Sequence, residues 1–181
     1  MFVFYTNQSN AVIAVYHLLL LISGFFEGSG LCRFLKAPTM QFSMTVMIWV
    51  THIVYHFVLV PLHKKSKKKY EDNRHGLGNA CVHYIAPLLT LLEWVLCADK
   101  NITFLSCVIW LIIPALYFIF AILRGRTGVP IGNTSSAYPY AFMDLDALGA
   151  KKFARNIIAG FCFFFILALL LLGAVKLAAL F

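Results

Sequence analysis

Charged side chains are scarce in this sequence: only 12% of its 181 residues are Asp, Glu, Lys or Arg, while 61% are hydrophobic. A soluble domain cannot bury that much apolar surface, so this composition excludes one. Long apolar runs are typical of transmembrane helices, and each run here can cross a hydrocarbon core of about 30 Å. We count five predicted spans, at residues 11–26, 38–62, 78–98, 103–123 and 156–180.

Strict alternation of polar and apolar residues is also missing, which excludes a transmembrane β-barrel. In lipid every backbone polar group needs a partner within the protein, so the spans are expected to be helices. We therefore predict an all-α fold. It is a polytopic membrane helical bundle, formed by one integral membrane domain over residues 1–181 with no separate soluble domain.

Cysteine pairs at CxxC spacing are absent, although the chain has five cysteines. Cys81, Cys107 and Cys162 lie within predicted spans and are expected to be packing residues, so the sequence predicts no disulfide framework, metal site or cofactor. The first ten residues, MFVFYTNQSN, lack a basic region and a small-residue cleavage site. We therefore do not expect them to form a signal peptide.

Basic side chains are concentrated in two connections. Residues 64–75 carry six Lys or Arg and residues 124–155 carry five, whereas the other side has mainly Arg33, Lys36 and Lys100. With five spans the two basic connections face the same side, which the positive-inside rule makes cytoplasmic. The N-terminus is then cytoplasmic and the C-terminus is outside. The lysine run is expected to contact anionic membrane lipids and not nucleic acid.

Polar residues recur at helical spacing on three of the predicted spans, and side chains three or four residues apart share a helix face. Such side chains normally face the interior of a membrane bundle, so we expect the three faces to converge on an internal polar pocket. The faces consist of Thr6, Asn10, His17 and Gly24; of Thr45, Trp49, His52 and His56; and of Asn79, His83, Pro87, Thr90 and Trp94.

The depth of these residues in the predicted bundle indicates that three of them, Thr6, His56 and His83, meet near its cytoplasmic end. At a rise of 1.5 Å per residue, His56 and His83 each lie about 9 Å inside the cytoplasmic end of their spans, near Thr6. Pro87 has no N–H to give to the carbonyl four residues earlier, so it releases the carbonyl of His83. Pro114 does the same to Trp110. A simple kink explains Pro114, whereas at Pro87 the released carbonyl lies on the polar face.

The longest connection, residues 124–155, contains the sequence AYPYAFMDLDALGA. Its aromatic residues suit a membrane interface, and Asp144 or Asp146 can cap the helical turn that follows. Two interpretations stay open, an interface anchor and a lid over the polar pocket. The lid would include Tyr138, Pro139, Tyr140 and Asp144.

Four motifs occur here in a particular order: FYTNQSN, HYIAPLLTLLEW, LRG and YPYAFMDLDALG, over about residues 4–149. In this order they resemble a bacterial family of uncharacterised integral membrane proteins, usually predicted with six helices. That family is similar to the eukaryotic androgen-induced membrane proteins, which include the androgen-dependent regulators of tissue factor pathway inhibitor. The family usually has a helix before the first motif, whereas five residues precede Thr6 here; we expect either an upstream start or a member without that helix.

The resemblance implies a function. The eukaryotic relatives are intramembrane threonine hydrolases that cleave fatty acid esters of hydroxy fatty acids, and their nucleophile and histidine match Thr6 and His83. It also implies a bacterial inner membrane location and a lipid ester substrate. A buried neutral imidazole can take the proton of a threonine hydroxyl. Asn10 or Asn79 is then expected to support the oxyanion, and His56 to line the pocket.

Other interpretations of these residues remain open. One interpretation is that Thr6 is an ordinary helix cap and His83 a buried histidine bonded across helices. His52 and His56, with His17 or His83, form a weak metal-binding pattern that lacks the acidic residue of HExxH. Alternatively the bundle is a transporter or channel in which Glu93 and the histidines carry protons, or a membrane protein with a structural role.

Overall fold

The structure is a computed structural model that describes residues 2–61, 76–132 and 136–179. It is 80% helical, and no strand occurs among the described residues, which confirms the predicted all-α fold. Six helices are present in this part of the chain: α1 Tyr5–Ser23, α2 Gly30–Leu35, α3 Pro38–Leu59, α4 Leu77–Cys97, α5 Phe104–Arg126 and α6 Leu145–Ala178.

Four of these helices, α3, α4, α5 and α6, are long and apolar enough to cross a membrane, and the chain is a membrane protein. Five spans were predicted. The predicted first span, 11–26, belongs to α1, which begins earlier at Tyr5 and ends at Ser23. Because the polar residues TNQSN form the first turns of this helix and not a segment before it, α1 falls short of the hydropathy of the other four.

The topology depends on the basic loop at residues 64–75, which lies outside the described residues. The orientation of the termini therefore stays a prediction. The local signals that begin the helices are visible elsewhere. Pro38 is at the start of α3, where a missing N–H costs nothing, and the Asp144 carboxylate accepts the N–H of Ala147 at 2.9 Å, which confirms it as the cap of α6. Within α6, Gly149 has a φ of 72° and kinks the helix.

Both α3 and α4 contain a π-helical turn, at Tyr55–Leu59 and at Cys81–Ile85. A π-turn adds one residue to a turn of α-helix and is often found at functional sites. The second one lies immediately before Pro87, whose missing N–H breaks the regular hydrogen-bond pattern there.

The chain divides into two compact units, one formed by Phe4–Ser106 with Phe2, and one by Cys107–Phe181 with Val3. We call them the N-terminal and the C-terminal unit. In the N-terminal unit α3 is the central helix, with an unbroken buried run from Gln41 to Ile48. It packs against α1 and α4, and α1 also contacts the π-turn of α4.

In the C-terminal unit α5 packs against α6 mainly through aromatic rings. Trp110 meets Phe164 at 5.9 Å between ring centroids, and Phe118 meets Phe161 at 5.2 Å. Ala168 is the one buried residue of α6. From Ile158 on, this helix exposes large apolar side chains, as expected for contact with lipid: Ile158, Phe163, Ile166, Leu170 and Leu177.

Candidate functional site

Thr6 and His83 lie in hydrogen-bond contact in the N-terminal unit. The Oγ1 atom of Thr6 is 3.3 Å from Nε2 of His83, across the contact between α1 and α4. His83 is buried and Thr6 is half-buried. Thr6 does not cap α1, because the residue before the helix is Phe4 and the structure gives it no side-chain cap. The two residues form a hydroxyl–imidazole pair.

The hydrogen bond at Nδ1 of His83 determines the protonation of Nε2, the ring nitrogen that faces Thr6. Nδ1 is 3.1 Å from the backbone carbonyl oxygen of Asn79, and a carbonyl can only accept a hydrogen bond. In a neutral imidazole Nδ1 must therefore carry the proton, and Nε2 has the lone pair. The Thr6 hydroxyl then donates to Nε2. This is the arrangement that a general base requires before it removes a proton from a nucleophile.

Tyr55 covers one face of the imidazole. The Tyr55 and His83 rings are stacked, with centroids 3.7 Å apart and planes at 21°. The Tyr55 hydroxyl accepts a hydrogen bond of 2.8 Å from the side-chain amide of Asn79. The backbone carbonyl of Asn79 thus accepts a hydrogen bond from the His83 ring, and its side-chain amide donates one to Tyr55. The His83 ring is held at its Nδ1 edge by Asn79 and on one face by Tyr55. A phenol face also favours a cation, which stabilises the imidazolium when the proton arrives.

The carbonyl that Pro87 releases has a partner on α3. Nδ1 of His52 donates to the backbone oxygen of His83 at 2.8 Å. The His52 ring itself stacks on Trp49 and meets Tyr84 edge-on. The buried residues of α4 are His83, Pro87, Thr90 and Trp94, all of them members of the polar face predicted from the sequence.

Asn10 lies one turn after Thr6 and connects α1 to α4. Its amide nitrogen donates to the backbone oxygens of Thr6 at 2.8 Å and of Val82 at 3.1 Å. Both of its N–H bonds are engaged, so Asn10 positions the backbone and has no donor left for an oxyanion. Ser9 is buried, and its hydroxyl bonds the Thr51 hydroxyl at 2.8 Å and the Thr6 carbonyl at 3.1 Å, neither of which is an imidazole.

His56 does not meet Thr6 and His83 as the helical spacing suggested. It is exposed, and its Nδ1 lies 3.1 Å from the Tyr84 hydroxyl. His56 keeps the face of His52, because the two rings are stacked 6.0 Å apart and both meet Tyr84 edge-on. On this face His52 and Tyr55 contact His83, whereas His56 contacts Tyr84.

The predicted lid residues belong to the C-terminal unit, and a lid role for them stays a prediction. Tyr138 and Pro139 are buried, and the Tyr138 ring lies so close to Gly125 that a Cβ atom there would collide with it. Tyr140 stacks on Phe142 at 5.2 Å. The LRG and YPYAFMD motifs, which contain Gly125 and Tyr138, are therefore packed together. Asp144 also accepts the Ser136 hydroxyl at 2.7 Å.

A second polar contact lies farther along α1 and α4. Nε2 of His17 is 4.0 Å from a carboxylate oxygen of Glu93, and both side chains are about one-third exposed, 35% and 32%. The Nδ1 atom of His17 is 2.9 Å from the Ile13 carbonyl. In the part of the chain that is described, no three His, Cys, Asp or Glu side chains are grouped as a metal ion requires.

Sequence reasoning missed Tyr55 and the contact of His52 with the His83 carbonyl. A signal existed for His52: once Pro87 is known to release a buried carbonyl, a donor from a neighbouring helix is expected. Tyr55 had a signal as well: it lies three residues after His52, so helical spacing places it on the same face. Comparison of the chain with family models, with curated proteins and with solved structures finds no match.

Proposed function

We propose that this membrane protein is an intramembrane threonine hydrolase that cleaves lipid (fatty acyl) esters. Thr6 is the nucleophile and His83 is the general base. The observation that carries the proposal is the 3.3 Å contact of Thr6 Oγ1 with Nε2 of His83, together with the Asn79 carbonyl on Nδ1. A hydroxyl is a poor nucleophile until such a base takes its proton.

The reaction follows from this pair in two steps. The Thr6 oxygen attacks the ester carbonyl carbon as its proton moves to Nε2, and the alkoxy group then leaves as an alcohol with that proton. The acyl group is now an ester of Thr6. Water attacks this ester, gives a proton to Nε2, and releases the fatty acid as Thr6 regains its proton. General-base assistance of this kind contributes about 10²–10⁴-fold to the rate.

The negative charge on the carbonyl oxygen also needs a donor. Thr6 is the second residue of α1, so its own N–H belongs to the first helical turn, whose N–H groups have no acceptor within the helix. This end of the helix carries the positive end of the helix dipole. The backbone N–H of Thr6 is therefore the donor best placed to support an oxyanion formed at its own side chain.

Two further observations support a lipid substrate. The chain has four helices long and apolar enough to span a membrane, so an ester dissolved in the bilayer can reach the helices from the side. The positions that match the nucleophile and histidine of the resembling hydrolases are the two residues in contact. On this proposal the protein lies in the cell membrane, with its N-terminus on the cytoplasmic side.

The test is hydrolysis by purified protein of a panel of lipid esters, which includes fatty acid esters of hydroxy fatty acids. The wild type, Thr6→Ala and His83→Ala are compared, with Thr103→Ala as a control because Thr103 is an exposed threonine outside the site. We expect turnover by the wild type and the control and none above background by the other two. Equal turnover by all four proteins would contradict the proposal.

A transporter or channel-like function is the second candidate, and the pair of His17 and Glu93 favours it. Ionisable side chains within transmembrane helices often carry protons, and Glu93 lies in a candidate span. Proton-coupled flux in liposomes that is lost in Glu93→Gln, without any ester hydrolysis, would favour this candidate. Hydrolysis without flux would exclude it.

A further inference from the structure

One histidine outside the Thr6–His83 pair contacts the backbone of that pair. His52 makes its hydrogen bond to the backbone of His83 and not to either side chain of the pair. The proline that creates the need for this bond is four residues further along α4. The bond therefore joins the carbonyl of α4 that lacks its helical donor to a side chain of α3.

The geometry shows why the His83 carbonyl needs a donor. In a regular helix the carbonyl of residue 83 accepts the N–H of residue 87, and Pro87 has none. Both His83 and Pro87 are buried, so water cannot easily take the place of that donor. A buried carbonyl without a donor is costly. The Nδ1–H group of His52 fills this place at 2.8 Å.

The same bond determines where the imidazole points. The backbone of His83 lies within the π-turn Cys81–Ile85, a conformation less stable than a regular α-helix. Its carbonyl is held from α3 by His52, while its ring is stacked on Tyr55, also from α3. With both backbone and ring tied to α3, the Nε2 atom is held at the Thr6 hydroxyl on α1.

We propose that His52 is a positioning residue: its Nδ1–H supplies the hydrogen bond that Pro87 withholds from the His83 carbonyl, and this holds Nε2 of His83 at Thr6. The part of the proposal that concerns catalysis rests on the proposed hydrolase function. The part that concerns the hydrogen bond does not, because it predicts an effect on unfolding whether or not the protein is an enzyme.

Two substitutions separate the hydrogen bond of His52 from its ring stacking. His52→Phe keeps an aromatic ring against Trp49 and Tyr84 but has no donor. His52→Asn has an amide nitrogen close to the place of Nδ1 but no ring. The proposal predicts that His52→Phe lowers kcat for lipid ester hydrolysis by about tenfold or more with KM little changed, while His52→Asn stays within about threefold of wild type. The opposite ranking would show that stacking matters and would overturn the proposal.

A double-mutant cycle with Pro87 tests the hydrogen bond without any assay of hydrolysis. Pro87→Ala returns an N–H to position 87, so the His83 carbonyl has a second possible donor. Apparent melting temperatures in detergent are measured for the wild type, His52→Phe, Pro87→Ala and the double variant. We expect His52→Phe to lower the melting temperature by several degrees in the wild-type chain and by clearly less in the Pro87→Ala chain.

The outcomes distinguish this proposal from the proposed function. Additive shifts in the cycle overturn the hydrogen-bond role of His52, whatever the hydrolysis assays give. Coupled shifts with unchanged kcat in His52→Phe overturn the positioning role and leave a purely structural bond. Coupled shifts with the predicted loss of kcat support the proposal in full. Absence of hydrolysis in the wild type contradicts the proposed hydrolase, and with it the positioning role, while the cycle still tests the bond.

Discussion

Two helices of this protein contain the same defect, a proline that leaves a buried carbonyl without its helical donor, and they resolve it differently. In α4 the carbonyl of His83 takes a hydrogen bond from a side chain of another helix, His52, at 2.8 Å. In α5 the carbonyl of Trp110 takes the N–H of Ile113, three residues on, at 3.0 Å. The first helix stays continuous through a π-turn, while the second is interrupted at Trp110 and Leu111.

The surroundings explain the difference. Trp110 is fully buried and packs against Phe164, whose side chain has no hydrogen-bond donor, and its carbonyl takes a donor from the backbone of α5 itself. His83 is surrounded by polar side chains from α1 and α3, and one of them can reach its carbonyl. In this protein a proline therefore marks a candidate site where a side chain of a neighbouring helix donates a hydrogen bond to the carbonyl that the proline releases. We interpret the kink at Pro114 as structural, because the Trp110 carbonyl takes its donor from the helix itself.

The largest expected effect is the difference in turnover between a substitution of His83 in α4 and a substitution of Trp110 in α5. His83→Gln removes the base, so we expect turnover of a lipid ester to fall by about 10²–10⁴-fold. Trp110→Phe alters only packing and is expected to leave turnover per folded molecule within about threefold. Turnover is measured on protein that elutes as a single species in detergent. Comparable losses in both variants would remove the functional contrast between the two helices.

A second contrast is that the N-terminal unit depends on polar contacts between helices and the C-terminal unit on close packing. Gly125→Ala places a Cβ against the Tyr138 ring. We expect it to destabilise the protein by about 1–3 kcal/mol, since overpacking of a buried site forces a shift of the ring. Apparent melting temperature is the measurement, with Gly128→Asn as a comparison, because Gly128 has a φ of 68° but open space around it. An unchanged melting temperature in Gly125→Ala would show that Tyr138 is loosely held.

The two prolines provide a smaller and more direct comparison. In Pro87→Ala the new N–H competes with His52 for the His83 carbonyl, so we expect kcat to fall several-fold. In Pro114→Ala the Trp110 carbonyl already has a donor, and kcat is expected to stay within about twofold of wild type. Both variants are assayed on the same lipid ester. A larger loss in Pro114→Ala than in Pro87→Ala would reverse the interpretation of the two kinks.

The smallest expected effect concerns His56. Its side chain is exposed and contacts Tyr84, not the Thr6–His83 pair. We expect His56→Gln to change turnover by no more than about twofold, as is usual for exposed positions. A steady-state assay with matched expression levels is sufficient to detect a larger change. A tenfold loss would return His56 to the site that the sequence predicted for it.

Composition predicted the fold class because a helix in lipid is nearly the only structure that satisfies its backbone. The 3.6-residue period also predicted the buried face of α4 and the approach of Thr6 to His83. It placed His56 on the face of His52, where the two rings stack, but His56 contacts Tyr84 and not the Thr6–His83 pair. Tyr55 lies three residues after His52, so the same period could have found it. Four of the five predicted spans belong to helices long and apolar enough to cross a membrane; α1, which contains the polar residues TNQSN, is not among them, and its span stays a prediction.

The most direct test of the central claim is to identify the residue that an active-site probe modifies. Purified protein is treated with a fluorophosphonate that reacts with activated hydroxyl nucleophiles, digested, and analysed by mass spectrometry. We predict a single modified residue, Thr6, and loss of the modification in His83→Gln. Modification of Ser9, whose hydroxyl bonds Thr51 and a backbone carbonyl, or undiminished modification of Thr6 in His83→Gln, would contradict the account.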